Sequence, residues 1–196
     1  MFLKKITNNE LLIISGISIY AFLINWLSGN IGILPIDSFG FLDTGHSILT
    51  NNLPIRDFWI FTGLVVDYME AIFLLIFGNN WNSHLIHSSF MNIVVVIVLY
   101  FFLKDFEIKK KFIIFYCLSF ATLCYPVSGT PFAYIHSYIF SLIAVMTLIL
   151  AIKNRTNILW FLLPIICLLS FLSMQTPSTF ILVILFVVII YNSYYS

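Results

Sequence analysis

The run LLIISGISIYAFLINWL, Leu11 to Leu27, follows Lys4 and Lys5 and holds no charged side chain. As a helix rising 1.5 Å per residue it covers about 26 Å, most of the hydrocarbon thickness of a bilayer. A secretory leader would end such a run at a small-residue cleavage site. This chain carries on into more apolar runs, so the segment reads as an uncleaved first span. Further runs at His84–Leu103, Phe112–Pro126, Phe132–Ile152, Asn157–Ser173 and Pro177–Asn192 repeat the pattern. The expectation is an all-α, multi-pass membrane protein of about six transmembrane helices.

Composition agrees. The 196 residues are 61% apolar and 9% charged, against about 25% charged in soluble domains. Disorder needs the opposite balance, and a net charge of +1 offers no basic face to nucleic acid. Cys117, Cys124 and Cys167 lie in apolar runs without metal-ligand spacing. They read as small hydrophobes within helices.

One run, Phe58–Phe77, is ambiguous because it contains Asp67 and Glu70. The basic residues decide it. If the run lies flat, Lys4, Lys5, Lys104, Lys109, Lys110, Lys111, Lys153 and Arg155 all face one side. That side is then cytoplasmic, and only Arg56 is outside. Asp67 and Glu70, three apart, share a helical face and are expected to be the wet face of an interfacial helix. Their other uses, binding a divalent cation or lipid headgroups, stay open. The whole chain, 1–196, reads as a single membrane domain in the cytoplasmic (inner) membrane with a cytoplasmic N-terminus.

The one long outside segment, 28–83, holds five of the eight acidic residues: Asp37, Asp43, Asp57, Asp67 and Glu70. It also carries His46, at the start of a stretch that reads as a short interfacial helix ending before Pro54. Asp43 is expected at that helix's start, as a cap or as a carboxylate poised to act as general base. Arg56 is the one permanent cation outside, either a phosphate ligand or an ion pair with Asp57. His136 opens the outer end of the fourth span and reads as an interfacial residue or a hydrogen-bonding group. His84 and His87 begin the second span; a metal site there would need His46 or His136 nearby, and none is expected.

The order Asp43-Thr-Gly45-His46, Asn52-Leu-Pro54-Ile-Arg56-Asp57 and Leu75-Ile-Phe77-Gly78 resembles the amino-terminal half of the C-type (GT-C) glycosyltransferase superfamily. Its members use polyprenol-phosphate sugars, as protein mannosyltransferases and aminoarabinose transferases do. The resemblance covers about Ile13 to Ile190, with His46 in place of the family's usual aromatic. It implies transfer of a sugar from a lipid-linked donor to an acceptor hydroxyl at the outer face. Asp43, and after it Asp37, would be the catalytic carboxylate; Arg56, Asp57, His46 and His136 would bind substrate. No cofactor is implied. Since family members are longer, the chain is expected to be a front half or truncated form. The competing readings are a non-catalytic remnant or accessory membrane subunit, and a small transporter. A transporter would place ionisable groups inside its spans.

Overall fold

A computed structural model describes residues 7–32, 35–60, 63–125 and 129–195. Among them are eight helices and no strand: α1 (Asn8–Ile31), α2 (Pro35–Leu49), α3 (Leu64–Phe77), α4 (Trp81–Asp105), α5 (Lys110–Leu123), α6 (Ala133–Asn154), α7 (Asn157–Ser173) and α8 (Gln175–Tyr195). The boundaries follow from local chemistry. Thr7 and Glu10 form a reciprocal capping box at the start of α1. The Asn80 side chain accepts from the Ser83 N–H at the start of α4. α5 stops at Leu123, three residues before Pro126, which removes a donor and disfavours helix just ahead of it.

Ion pairs mark one end of the bundle. Lys104 near the end of α4 meets Glu10 at the start of α1, and Lys153 near the end of α6 meets Asp105 at 2.9 Å. The opposite end is marked by His87 of α4 against His136 of α6, and by Ser137 of α6 donating to the Met174 carbonyl that follows α7. Thus α4 and α6 point the same way, α1 runs against them, and α5 and α7 must each traverse the bundle between them. α8 turns back along α6, packing Leu185 with Ala144 and Leu148. Lys104, Lys109–Lys111, Lys153 and Arg155 gather at the first end; α2 and α3 cap the second.

Four of these helices, α1, α4, α6 and α8, are long and apolar enough to cross a membrane. α5 has 14 residues and α7 has 17, about 21 and 26 Å. The chain therefore has the build of a membrane protein.

The interior is apolar but threaded with polar ties. Met91, Val95, Val96, Ile113, Cys117 and Ile139 form its centre. Asn92 of α4 donates to the carbonyls of Ala21 in α1 and Ala121 in α5, at 3.1 and 2.9 Å. Asn25 of α1 donates to Ser88, Ser89 and the Gly129 carbonyl. Where lipid replaces water, packing and such interhelical hydrogen bonds supply the association that the hydrophobic effect cannot. Gly129 sits at φ +63, and a Cβ there would come within 2.5 Å of the Asn25 carbonyl oxygen and the Gly29 nitrogen. Only glycine fits.

Candidate functional site at the capped end

Helix α2 begins at Pro35, not at Asp43. Asp43 therefore stands mid-helix, and the expectation that it caps a short helix is corrected: the helix, with apolar Phe39, Phe41 and Leu42 ahead of Asp43, extends further toward the N-terminus. The Asp37 side chain lies outside the described residues. Asp43 and His46, one turn apart, share a face and are both exposed. They open onto a groove of about 530 Å³ walled by Phe39, Gly40, Leu42 and Asn79. Asn79 donates to Nδ1 of His46 at 2.8 Å, so a neutral His46 carries its hydrogen on Nε2. Carboxylate, imidazole N–H and apolar wall thus meet in one open groove.

The second motif forms an exposed turn. Arg56 grips Asp57 with two hydrogen bonds, Nε to Oδ1 at 2.9 Å and Nη2 to Oδ2 at 2.7 Å, and the Leu53 N–H also donates to Asp57. The Arg56 guanidinium and then the Leu53 N–H hold the Asp57 carboxyl at about 2. Neither residue lines the Asp43 groove. Ile55 and Trp59 flank the pair and are among the most exposed apolar side chains, as suits a loop tip at a lipid surface.

The acid pair of α3 is not a wet face. Asp67 and Glu70 are 2% and 0% exposed, and that expectation is corrected. The predicted helix Phe58–Phe77 shortens to Leu64–Phe77, behind Gly63. The face taken as polar turns inward because it finds partners there. Thr44 of α2 donates to Asp67. Glu70 receives Nδ1 of His84 on Oε1 at 2.8 Å and Nδ1 of His87 on Oε2 at 2.7 Å. His136, expected at the interface, is wholly buried, with Nε2 3.2 Å from Nε2 of His87 and Nδ1 2.8 Å from the Phe132 carbonyl.

Burial pushes the Asp67 carboxyl up to about 6, against the pull of the Thr44 hydrogen bond. Burial would raise Glu70 as well, but the hydrogen bonds from His84 and His87 outweigh it and hold the group at about 2. Glu70 is an ionised carboxylate between two donating rings. Among the described residues no group of His, Cys, Asp and Glu is disposed to hold a metal ion. Sequence reasoning placed these residues in separate elements and missed their convergence. Its available signal was the pair of i, i+3 spacings, Asp67 with Glu70 and His84 with His87.

No known protein family matches the chain, and no characterised protein or solved structure proved similar to it.

Proposed function

We propose that this chain is the membrane core of a glycosyltransferase. It would move a sugar from a polyprenyl-phosphate donor to an acceptor hydroxyl at the outer face of the cytoplasmic membrane. The observation that carries the reading is the groove on α2, where the exposed Asp43 carboxylate and His46 ring share one open site beside apolar Phe39 and Leu42. The family-like order of the three motifs around it gives the reading its chemistry. In this account α5 and α7 cross along with the four longer helices, making six spans with the N-terminus cytoplasmic.

The reaction asks little of the protein. The phosphate leaves from the anomeric carbon without needing an acid, unlike the alkoxide of a glycosidase. Asp43 orients the acceptor hydroxyl and takes its proton as the new glycosidic bond forms. Asp37 is the second carboxylate the resemblance offers. His46 Nε2–H donates to a sugar hydroxyl or phosphate oxygen. Arg56 keeps Nη1 for a phosphate oxygen while Nε and Nη2 hold Asp57. His136 is buried and bonded to His87 and the Phe132 carbonyl, so in this account it does not touch substrate.

The test is transfer of radiolabel from a panel of polyprenyl-phosphate sugars into acceptor-bearing membranes that contain the full chain. Asp43→Asn should lower transfer by about 10²–10⁴-fold at equal membrane insertion. Unchanged transfer would contradict the reading and favour an accessory subunit.

A further inference from the structure

The atoms around Glu70 fix a proton count. The Phe132 carbonyl can only accept, so His136 Nδ1, 2.8 Å away, carries hydrogen. The two Nε2 atoms of His136 and His87, 3.2 Å apart, can bond only with one hydrogen between them: two would repel, and none would set lone pair against lone pair. The gap from His87 Nδ1 to Glu70 Oε2, 2.7 Å, likewise holds one. Glu70, His87 and His136 therefore hold three protons together, one more than a carboxylate with two neutral rings. Their summed charge is zero, the state a buried site in low dielectric favours.

His84 extends the chain. Its Nδ1 donates to the other Glu70 oxygen at 2.8 Å. Its Nε2 is buried and meets no hydrogen-bond partner. Of the six ring nitrogens on His84, His87 and His136, it alone lacks a hydrogen-bond partner. We infer that Glu70, His84, His87 and His136 form a buried proton-storing chain, closed at the Phe132 carbonyl and open at Nε2 of His84. Its ligand is a proton, taken up at that lone pair. The imidazolium formed stays bonded through Nδ1–H to the Glu70 carboxylate.

The surroundings set one other carboxyl group beside this line. From α3, Asp67 lies one turn before Glu70 and keeps Oδ2 unpaired; Thr44 of α2 occupies its Oδ1. From α2, Gly45 packs against the Glu70 stem. Phe73 stacks on His87, Trp81 lies beside His84, and Tyr125, beyond α5, meets His136 edge-on. α7 reaches α3 through Leu172 and Ser173 at Gly63 and brings no titratable side chain there. The inference rests on this geometry alone and not on the transfer reading.

The test is nitrogen NMR of the full chain in lipid nanodiscs, labelled with ¹⁵N-histidine; there are four histidines, and exposed His46 serves as reference. At neutral pH both His136 Nδ1 and His87 Nδ1 should carry hydrogen, and one hydrogen should be shared by the two Nε2 atoms. On acidification His84 Nε2 should gain hydrogen while His136 Nδ1 keeps its own. Glu70→Gln should strip the hydrogen from His87 Nδ1, because the carboxylate that held the excess proton is gone. A bare His136 Nδ1, hydrogens on both Nε2 atoms, a His84 that does not titrate, or a His87 indifferent to Glu70→Gln would each overturn the inference. The unaltered chain reports the first three, so the decision stands even where Glu70→Gln fails to insert.

Discussion

At Glu70 a carboxylate with no exposed surface is met by two fully buried imidazoles. Removing one partner strands the rest without solvent, at a cost of about 3–5 kcal/mol. Glu70→Ala and His87→Ala are each expected to lower unfolding stability in detergent by that order. Because they break one network, the double variant should cost less than the sum; additive losses would show that the contact does not form. Asp67 has the opposite sense. Its folded pKa, about 6, lies above the 3.8 of a free aspartate, so the fold binds its proton more tightly than the unfolded chain does. That stability is complete below 3.8 and is lost as pH rises through about 6. Glu70, held at about 2 against 4.5, supplies stability above 4.5 that is lost as pH falls toward 2. Thermal unfolding against pH should therefore peak near the junction of the two windows, about pH 4–5. Asp67→Asn should abolish the fall on the alkaline side. Residue types in the sequence exposed which groups carry chemistry, but not their burial: an acid pair three apart reads the same whether it faces water or histidines. Only the long-range pairing, across 14, 17 and 49 residues, decides that.

At the scale of elements, two glycines fix how α2 and α3 seat on the bundle. A Cβ on Gly45 would stand 2.6 Å from Cγ of Glu70 and 3.2 Å from the Ala71 nitrogen. A Cβ on Gly63 would stand 1.8 Å from the Leu172 carbonyl oxygen, where backbone must move. Gly45→Ala should destabilise by about 1–3 kcal/mol, and Gly63→Ala by more. Gly40→Ala, with nothing within 4 Å, should be neutral or slightly stabilising. Equal effects in denaturation at all three positions would contradict this packing. Long apolar periodic runs made the helices themselves legible, and Pro126 placed the end of α5 within three residues. The start of α2 was not legible. Asp43 has a cap's chemistry, but the Pro35 that opens the helix is as good a first residue, and only context chooses between them.

For the whole molecule, the clustering of Lys104, Lys109–Lys111, Lys153 and Arg155 at one end turns a charge pattern into geometry, through the Glu10 and Asp105 ion pairs. Single cysteines at Lys109 and Arg155 should react with an impermeant thiol reagent only from the cytoplasmic side, and one at Trp59 only from outside. Labelling of Lys109 and Trp59 from the same side would contradict six spans. The alternating direction of the helices was legible because the basic residues recur at every second connection, before the first apolar run and after the second and fourth. The short α7 was legible residue for residue, since the expected run Asn157–Ser173 is the helix observed, and α5 differs only at its ends, running Lys110–Leu123 where Phe112–Pro126 was expected. The most direct measurement is release of polyprenyl phosphate by the purified chain in proteoliposomes supplied with the donor panel and an acceptor extract. The account predicts release from at least one donor, lost on Asp43→Asn and kept on Gly16→Ala, a position on α1 outside the groove where a Cβ meets nothing within 4 Å. Release from none, or release indifferent to Asp43, would contradict it.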